Sequence, residues 1–271
     1  MQMRSKRRQG GFTLVEMAVV LVIIGVIIGA VMIGRDVQRN AEYTRIKQKY
    51  VDQWVVAYNS YHQRFGAPVG DNQAAPRLMV AGADYASSNG SLSGGDMTGQ
   101  TSPGAICNVS APKGTTPAIT AAASNGSKLR DMMRGAGISL PPGRGEGFED
   151  RYVYLDTNGN PQEIQICFQW NPPGTASGAG NVMILSGLTP DLARSLDQMI
   201  DGKPDPQSGA FRQADVVAKK ATDNANDNGI EWTGNNTNAT GGSLAKTSVE
   251  AGDNTDTEQV LTLTAYYKMN Q

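Results

Sequence analysis

The chain has 271 residues, 39% of them apolar and 6% aromatic, which allows one medium domain around a modest core. Its 32 glycines and its small polar residues crowd the part beyond residue 66, a composition that fits one globular domain with long loops better than two compact ones. Four of the 24 basic residues (Arg4, Lys6, Arg7, Arg8) fall in the acid-free stretch 1–11, so the remainder carries 20 basic against 25 acidic residues, a net charge of −5, which argues against nucleic-acid binding as the main role.

Residues 1–11 form a short basic leader that ends Gln9-Gly10-Gly11. Residues 12–34 then read FTLVEMAVVLVIIGVIIGAVMIG, long enough to cross a bilayer as a helix, and Arg35 and Asp36 close the run. A secretory signal places its small-residue cleavage site after the apolar core. Here the small residues stand before it, at Gly10 and Gly11, so a cut there removes only the leader and leaves the helix on the mature chain. The basic leader predicts a cytoplasmic N-terminus and a single-pass protein with its bulk outside.

Residues 35–65 continue the helix in amphipathic form. Val37, Ala41, Thr44, Ile46, Tyr50, Trp54, Ala57, Tyr58 and Tyr61 recur at helical spacing, and the pattern fails at Gly66-Ala67-Pro68. With no proline from 12 to 65, one helix of about fifty residues is expected, its second half lying on a sheet. Residues 66–271 read as an exported globular domain. The stretch 70–127 reads as loop with short elements, 128–135 as a brief helix, and 151–155 and 163–170 as strands joined by the turn Asp156-Thr157-Asn158-Gly159-Asn160-Pro161. A third strand is expected at 181–186, a helix from Pro190 to about Ile200 that stops at Asp201-Gly202, an exposed loop at 223–256 and a closing strand at 260–267. The fold class is α+β, a long helix packed on a small antiparallel sheet.

The two cysteines, Cys107 and Cys167, lie in the part expected outside the cell membrane, so a disulfide between them is predicted. The sole histidine, His62, sits among aromatic residues, which removes multi-histidine metal sites and speaks against a Ser-His-Asp or Cys-His centre. No phosphate-binding loop is present. Asp156-x-Asn158-x-Asn160 begins like a calcium loop, but Pro161 and Cys167 stand where an EF-hand needs Gly and Glu, so a hairpin turn explains it better. Asp201, Asp205, Asp223 and Asp227 offer oxygen ligands for calcium, and no other cofactor is expected. Asn108, Asn235 and Asn238 begin glycosylation sequons of little weight.

Gly11-Phe12-Thr13-Leu14-Val15-Glu16-Met17, followed by the uninterrupted apolar run, resembles the processing site of type IV prepilins and type II secretion pseudopilins. The resemblance implies cleavage between Gly11 and Phe12 by a prepilin peptidase, N-methylation of Phe12 and a special role for Glu16. Two later segments also look like parts of pilin-like proteins: 65–71 where the chain leaves the helix, and the D-G-x-P-x-x-x-G loop from Asp201 to Gly209.

Glu16 is a carboxylate in an apolar helix, where a charge costs about 2.5–3.5 kcal/mol or more. Cleavage would create its partner, the amine of Phe12, on the same helix or on the next subunit. Gly25 and Gly29 form a G-x-x-x-G that permits close helix contact. The expected function is a structural subunit of a type IV pilus-class filament, with other pilin subunits, the prepilin peptidase, the inner-membrane assembly machinery and the membrane itself as partners. The chain lacks the proline late in the apolar run, the short length and the C-terminal cysteines of many major pilins. A minor type IV pilin is therefore the first reading, a type II secretion pseudopilin the alternative, and a signal-anchored enzyme or binding module the reading from another class. The expected location is the bacterial inner membrane, then a periplasmic or surface filament.

Overall fold

The computed structural model describes residues 13–74, 76–81, 104–108, 129–214, 231–233 and 260–270. The chain divides into two compact units, Met1–Tyr43 and Thr44–Gln271.

The first unit is helical from Leu14, the start of α1 (Leu14–Ile46). Neither proline nor any polar residue but Glu16 interrupts it up to Gly34, so each backbone N–H finds its carbonyl one turn back without competition.

In the second unit the helical chain passes a π-helical turn, Lys47–Val51, into α2 (Asp52–Phe65). The helix extent agrees with the sequence reading, and the π turn was not foreseen. Gly66, at φ +67°, ends α2 by donating its N–H to His62 O at 2.7 Å. Tyr50, Trp54 and Tyr58 fall on one stripe and are at most 1% exposed. Tyr50 meets Tyr152, with ring centroids 5.1 Å apart, and Trp54 and Tyr58 meet Phe168 at 6.1 and 5.0 Å. Burying a large apolar side chain is worth about 1.5–3 kcal/mol, so this aromatic seam helps to hold the helix on the sheet.

After the short helix α3 (Leu129–Gly135), the sheet comprises β1 (Arg151–Leu155), β2 (Pro161–Asn171), β3 (Gly180–Leu188), β4 (Phe211–Gln213) and β5 (Leu263–Lys268). All pairings are antiparallel, in the order β1-β2-β3-β5-β4, with Cys167 opposite Ile184 and Ile184 opposite Tyr266. Between β3 and β4 runs α4 (Pro190–Asp201), started by Pro190 and ended by Gly202. The α+β class is therefore as expected. Tyr154 ties the start of α4 to the sheet: its hydroxyl accepts from Thr189 N and donates to Gly187 O, both at 2.8 Å.

Several details differ from the sequence reading, among them the closing strand, expected at 260–267, which runs Leu263–Lys268. Strands β2 and β3 are longer than expected at both ends, because ladder pairing holds Pro161 against Leu155 and Asn171 against Gly180. Strand β4 was not anticipated, since three residues carry too short an alternation to register. The stretch 223–256 was expected to be exposed, yet Trp232 within it is 2% exposed, drawn in by its apolar ring and a buried acceptor.

Candidate functional site

The feature that most needs a function is the surface of α1. Every large apolar side chain from Leu14 to Ile33 is between 46% and 86% exposed, with no face buried. A helix apolar all round is stable in water only under cover, which makes this a candidate membrane-spanning and assembly segment.

Its head is built by Thr13 and Glu16. Thr13 donates its N–H to Glu16 Oε2 at 2.8 Å and its hydroxyl to the same oxygen at 2.9 Å. Glu16 returns its own N–H to Thr13 Oγ1 at 3.3 Å. This reciprocal capping box satisfies two amide donors that the first helical turn leaves open. The sequence reading treated Glu16 only as half of an ion pair and missed the cap, although T-x-x-E before an apolar run is its signature. Both bonds come from neutral donors, so the cap orients the carboxylate without balancing its charge. Gly11 and Phe12, the expected cut and its amine, lie outside the described residues. At Gly25 and Gly29 a Cβ would meet nothing within 4 Å, so both backbones are open to close approach by another helix.

The remaining residues singled out from sequence are placed in the globular unit. Cys107 and Cys167 form a disulfide, with Sγ atoms 2.02 Å and Cα atoms 4.6 Å apart. Ile106 and Phe168 exchange two backbone hydrogen bonds of 2.8 and 3.0 Å, so the cysteines next to them face each other as a non-hydrogen-bonded antiparallel pair. The bridge is buried with Ala105, Val182, Ile184 and Tyr266.

Asp156 organises the β1–β2 turn. Its Oδ1 accepts from Asn158 N and Asn160 N, and its Oδ2 from Gln162 Nε2 and Val260 N. Asp201 accepts from Ala210 N at 3.1 Å and Phe211 N at 2.8 Å, while Asp205 accepts from Gln207 N and Lys203 Nζ. These carboxylates thus close the D-G-x-P loop on itself. Among the described residues no group of three or more His, Cys, Asp or Glu is placed to hold a metal ion. Asp223, Asp227, Asn235 and Asn238 lie outside the described residues. Asn108 is buried, and its amide donates to Gly147 O and Asp150 Oδ1, which leaves it unsuited to modification in the folded chain.

Residues 6–32 match the family model for the prokaryotic N-terminal methylation motif. No curated protein and no solved structure matches the chain.

Proposed function

We propose that this chain, which carries the type IV prepilin and pseudopilin signature at its N-terminus, is a structural subunit of a type IV pilus-class filament, in the position of a minor type IV pilin. The carrying observation is α1, uncovered on all faces from Leu14 to Ile33 and beginning beside the motif's cleavage site. At ~1.5 Å per residue that stretch matches the ~30 Å hydrocarbon core of a bilayer, which covers it before assembly. In the filament the α1 helices of neighbouring subunits take over as cover.

In this reading a prepilin peptidase cuts after Gly11, and Phe12 becomes a methylated, cationic N-terminus. Thr13 then caps the helix at the second residue of the mature chain, and the cap holds the Glu16 carboxylate at the end where that cation sits. Apolar helices gain little from one another in lipid, so a charged contact between Glu16 and a neighbour's Phe12 amine supplies the axial register. The role is structural, with the disulfide-bonded globular unit displayed outside the inner membrane.

The test is mass spectrometry of the N-terminus on sheared surface filaments. The expected species begins at a methylated Phe12. Material that retains Met1, or is cut beyond Gly34, overturns the reading. Recovery only in the periplasmic pseudopilus of a secretion system overturns the minor-pilin position in favour of a pseudopilin.

A further inference from the structure

The sheet has two outer strands, β1 and β4, and the chain treats them differently. On β4 the outward amides of Phe211 and Gln213 donate to Asp201 Oδ2 and Pro206 O. On β1 such cover stops early. Asp150 O accepts from Ile166 N of β2, so the backbone of the next residue points the other way. Arg151 N donates to Phe148 O and Arg151 O accepts from Arg144 N, which closes the start of the edge. By the same alternation the N–H and C=O groups of Val153 and Leu155 point outward, and among the described residues nothing bonds to them there. Pro161 stands opposite Leu155, a position that asks for no ladder amide.

The side chains suit an open edge. Tyr152 meets Tyr50 of the π-helical turn, so Val153 and Leu155 alternate to the other face of the sheet. They are 42% and 55% exposed, and Phe148, whose ring lies under the Arg151 guanidinium, is 47% exposed. A bare apolar edge invites pairing, and proteins ordinarily cover it, as β4 is covered here.

We propose that β1 is a docking edge for an extended strand of a second protein, one with apolar residues at alternate positions and an acidic side chain where it reaches Arg151.

The backbone fixes the form of the partner, because outward N–H and C=O groups two residues apart are matched by another strand. Its alternate side chains then lie beside Val153 and Leu155 on the same face. Charge fixes its end. Arg144 and Arg151 share the one carboxylate of Glu163, each at 2.8 Å, and Arg151 Nε has no acceptor. The other acids nearby are committed. Glu146 and Glu149 pair with Arg130 and Arg134, and Asp150 accepts from Asn108 and Gln165. Arg144 stays more than half exposed, in reach of a further carboxylate.

A second copy of this chain does not offer such a strand. The outward amides of its β4 are taken, and its β1, Arg151–Leu155, carries a base and no acid. Asp156, which follows, commits both oxygens to its own turn and to Val260.

The test uses the full chain in detergent and a blocked pentapeptide, valine-threonine-valine-threonine-aspartate, followed by NMR of the backbone amides. The expected result is a saturable shift of the Val153 and Leu155 signals, with a dissociation constant of roughly 1 mM and slower exchange of both amides. The peptide N-methylated at its valines lacks the donors that face β1 and should not bind. Asparagine in place of the aspartate should weaken binding roughly threefold. Val153→Pro removes one outward amide, leaves the β1–β2 ladder whole and should weaken binding about tenfold. No saturation by about 10 mM, equal binding of either altered peptide, or wild-type binding by Val153→Pro overturns the proposal. Should that variant fail to fold, the N-methylated peptide decides with the protein unaltered. Val153 and Leu155 signals that move with protein concentration alone put a second copy on the edge and overturn the proposal as well.

Discussion

Asp201 and Gly209 are fitted to each other: the aspartate's carboxylate caps the two residues after the glycine, and it lies where any Cβ on Gly209 would stand. Gly209 also holds φ at +88°, a region L-residues rarely adopt. Gly209→Ala should therefore destabilise the globular unit by about 2 kcal/mol or more. Asp201→Ala should cost about 1–3 kcal/mol, by stranding two amides. The two sites are coupled, so the double variant should cost roughly 1 kcal/mol less than the sum. Urea unfolding of the four proteins measures this, and strict additivity would sink the coupling.

Capping and charge at the head of α1 can be separated by substitution. Thr13→Val removes the hydroxyl that receives the Glu16 N–H, and should fray the first turn at a cost of about 1 kcal/mol. Glu16→Gln keeps an oxygen to accept the Thr13 N–H but carries no charge. In detergent its helix start should be as protected from hydrogen exchange as the wild type, while its incorporation into sheared filaments falls. Glu16→Ala should lose both. Wild-type filament yield from Glu16→Gln would remove charge from the assembly contact and leave the cap as the function of Glu16.

Peptide mapping without reductant should recover Cys107 joined to Cys167 from natively exported protein. The bond closes a loop with a sequence separation of 60. In the chain-entropy model that is worth about 4 kcal/mol against the unfolded state. The double Cys→Ala variant should show a correspondingly lower urea midpoint. An unchanged midpoint would mean that the Ile106–Phe168 pairing fixes residues 104–108 without help.

Acid should unfold the globular unit partly through Asp156. Burial by itself raises its pKa, but hydrogen bonds from Asn160, Gln162, Val260 and Asn158 outweigh that, so the folded value lies below the ordinary 3.8. A depressed carboxyl adds stability above its unfolded value and loses it as the pH falls through the folded one. Asp156→Asn should cost about 1–3 kcal/mol at neutral pH, and its stability curve should approach the wild type's in strong acid. Parallel curves at all pH values would refute this account.

Much of this architecture is written locally. The hairpin of β1 and β2 is readable because Asp156, Asn158 and Gly159 mark a turn between two alternating runs, and α4 because Thr189-Pro190 opens it and Gly202 closes it. Strand order is not readable, because the placement of β5 depends on contacts between residues far apart in the chain. Residues 104–108 lie in a stretch rich in small residues, and only their pairing with Phe168 makes them part of the sheet. At the candidate site, Glu16 was visible as a charge in an apolar helix, but its bond to Thr13 was hidden by the stronger expectation of a cation. Trp232 was lost among polar neighbours, since nothing local predicts that one indole will find a buried carboxyl on α4.

The position of β5 also sets an order of events. It lies between β3 and β4, although β4 precedes it in the sequence. While the chain is being synthesised, β3 has an open edge and β4 has no ladder partner until Leu263–Lys268 arrives. The unit therefore emerges as a template with a vacant slot, and a strand from another molecule that filled it would be a rival to its own. Early closure of the Cys107–Cys167 bond on the far side of β2 would steady that waiting edge, so the sheet is complete only once β5 has arrived.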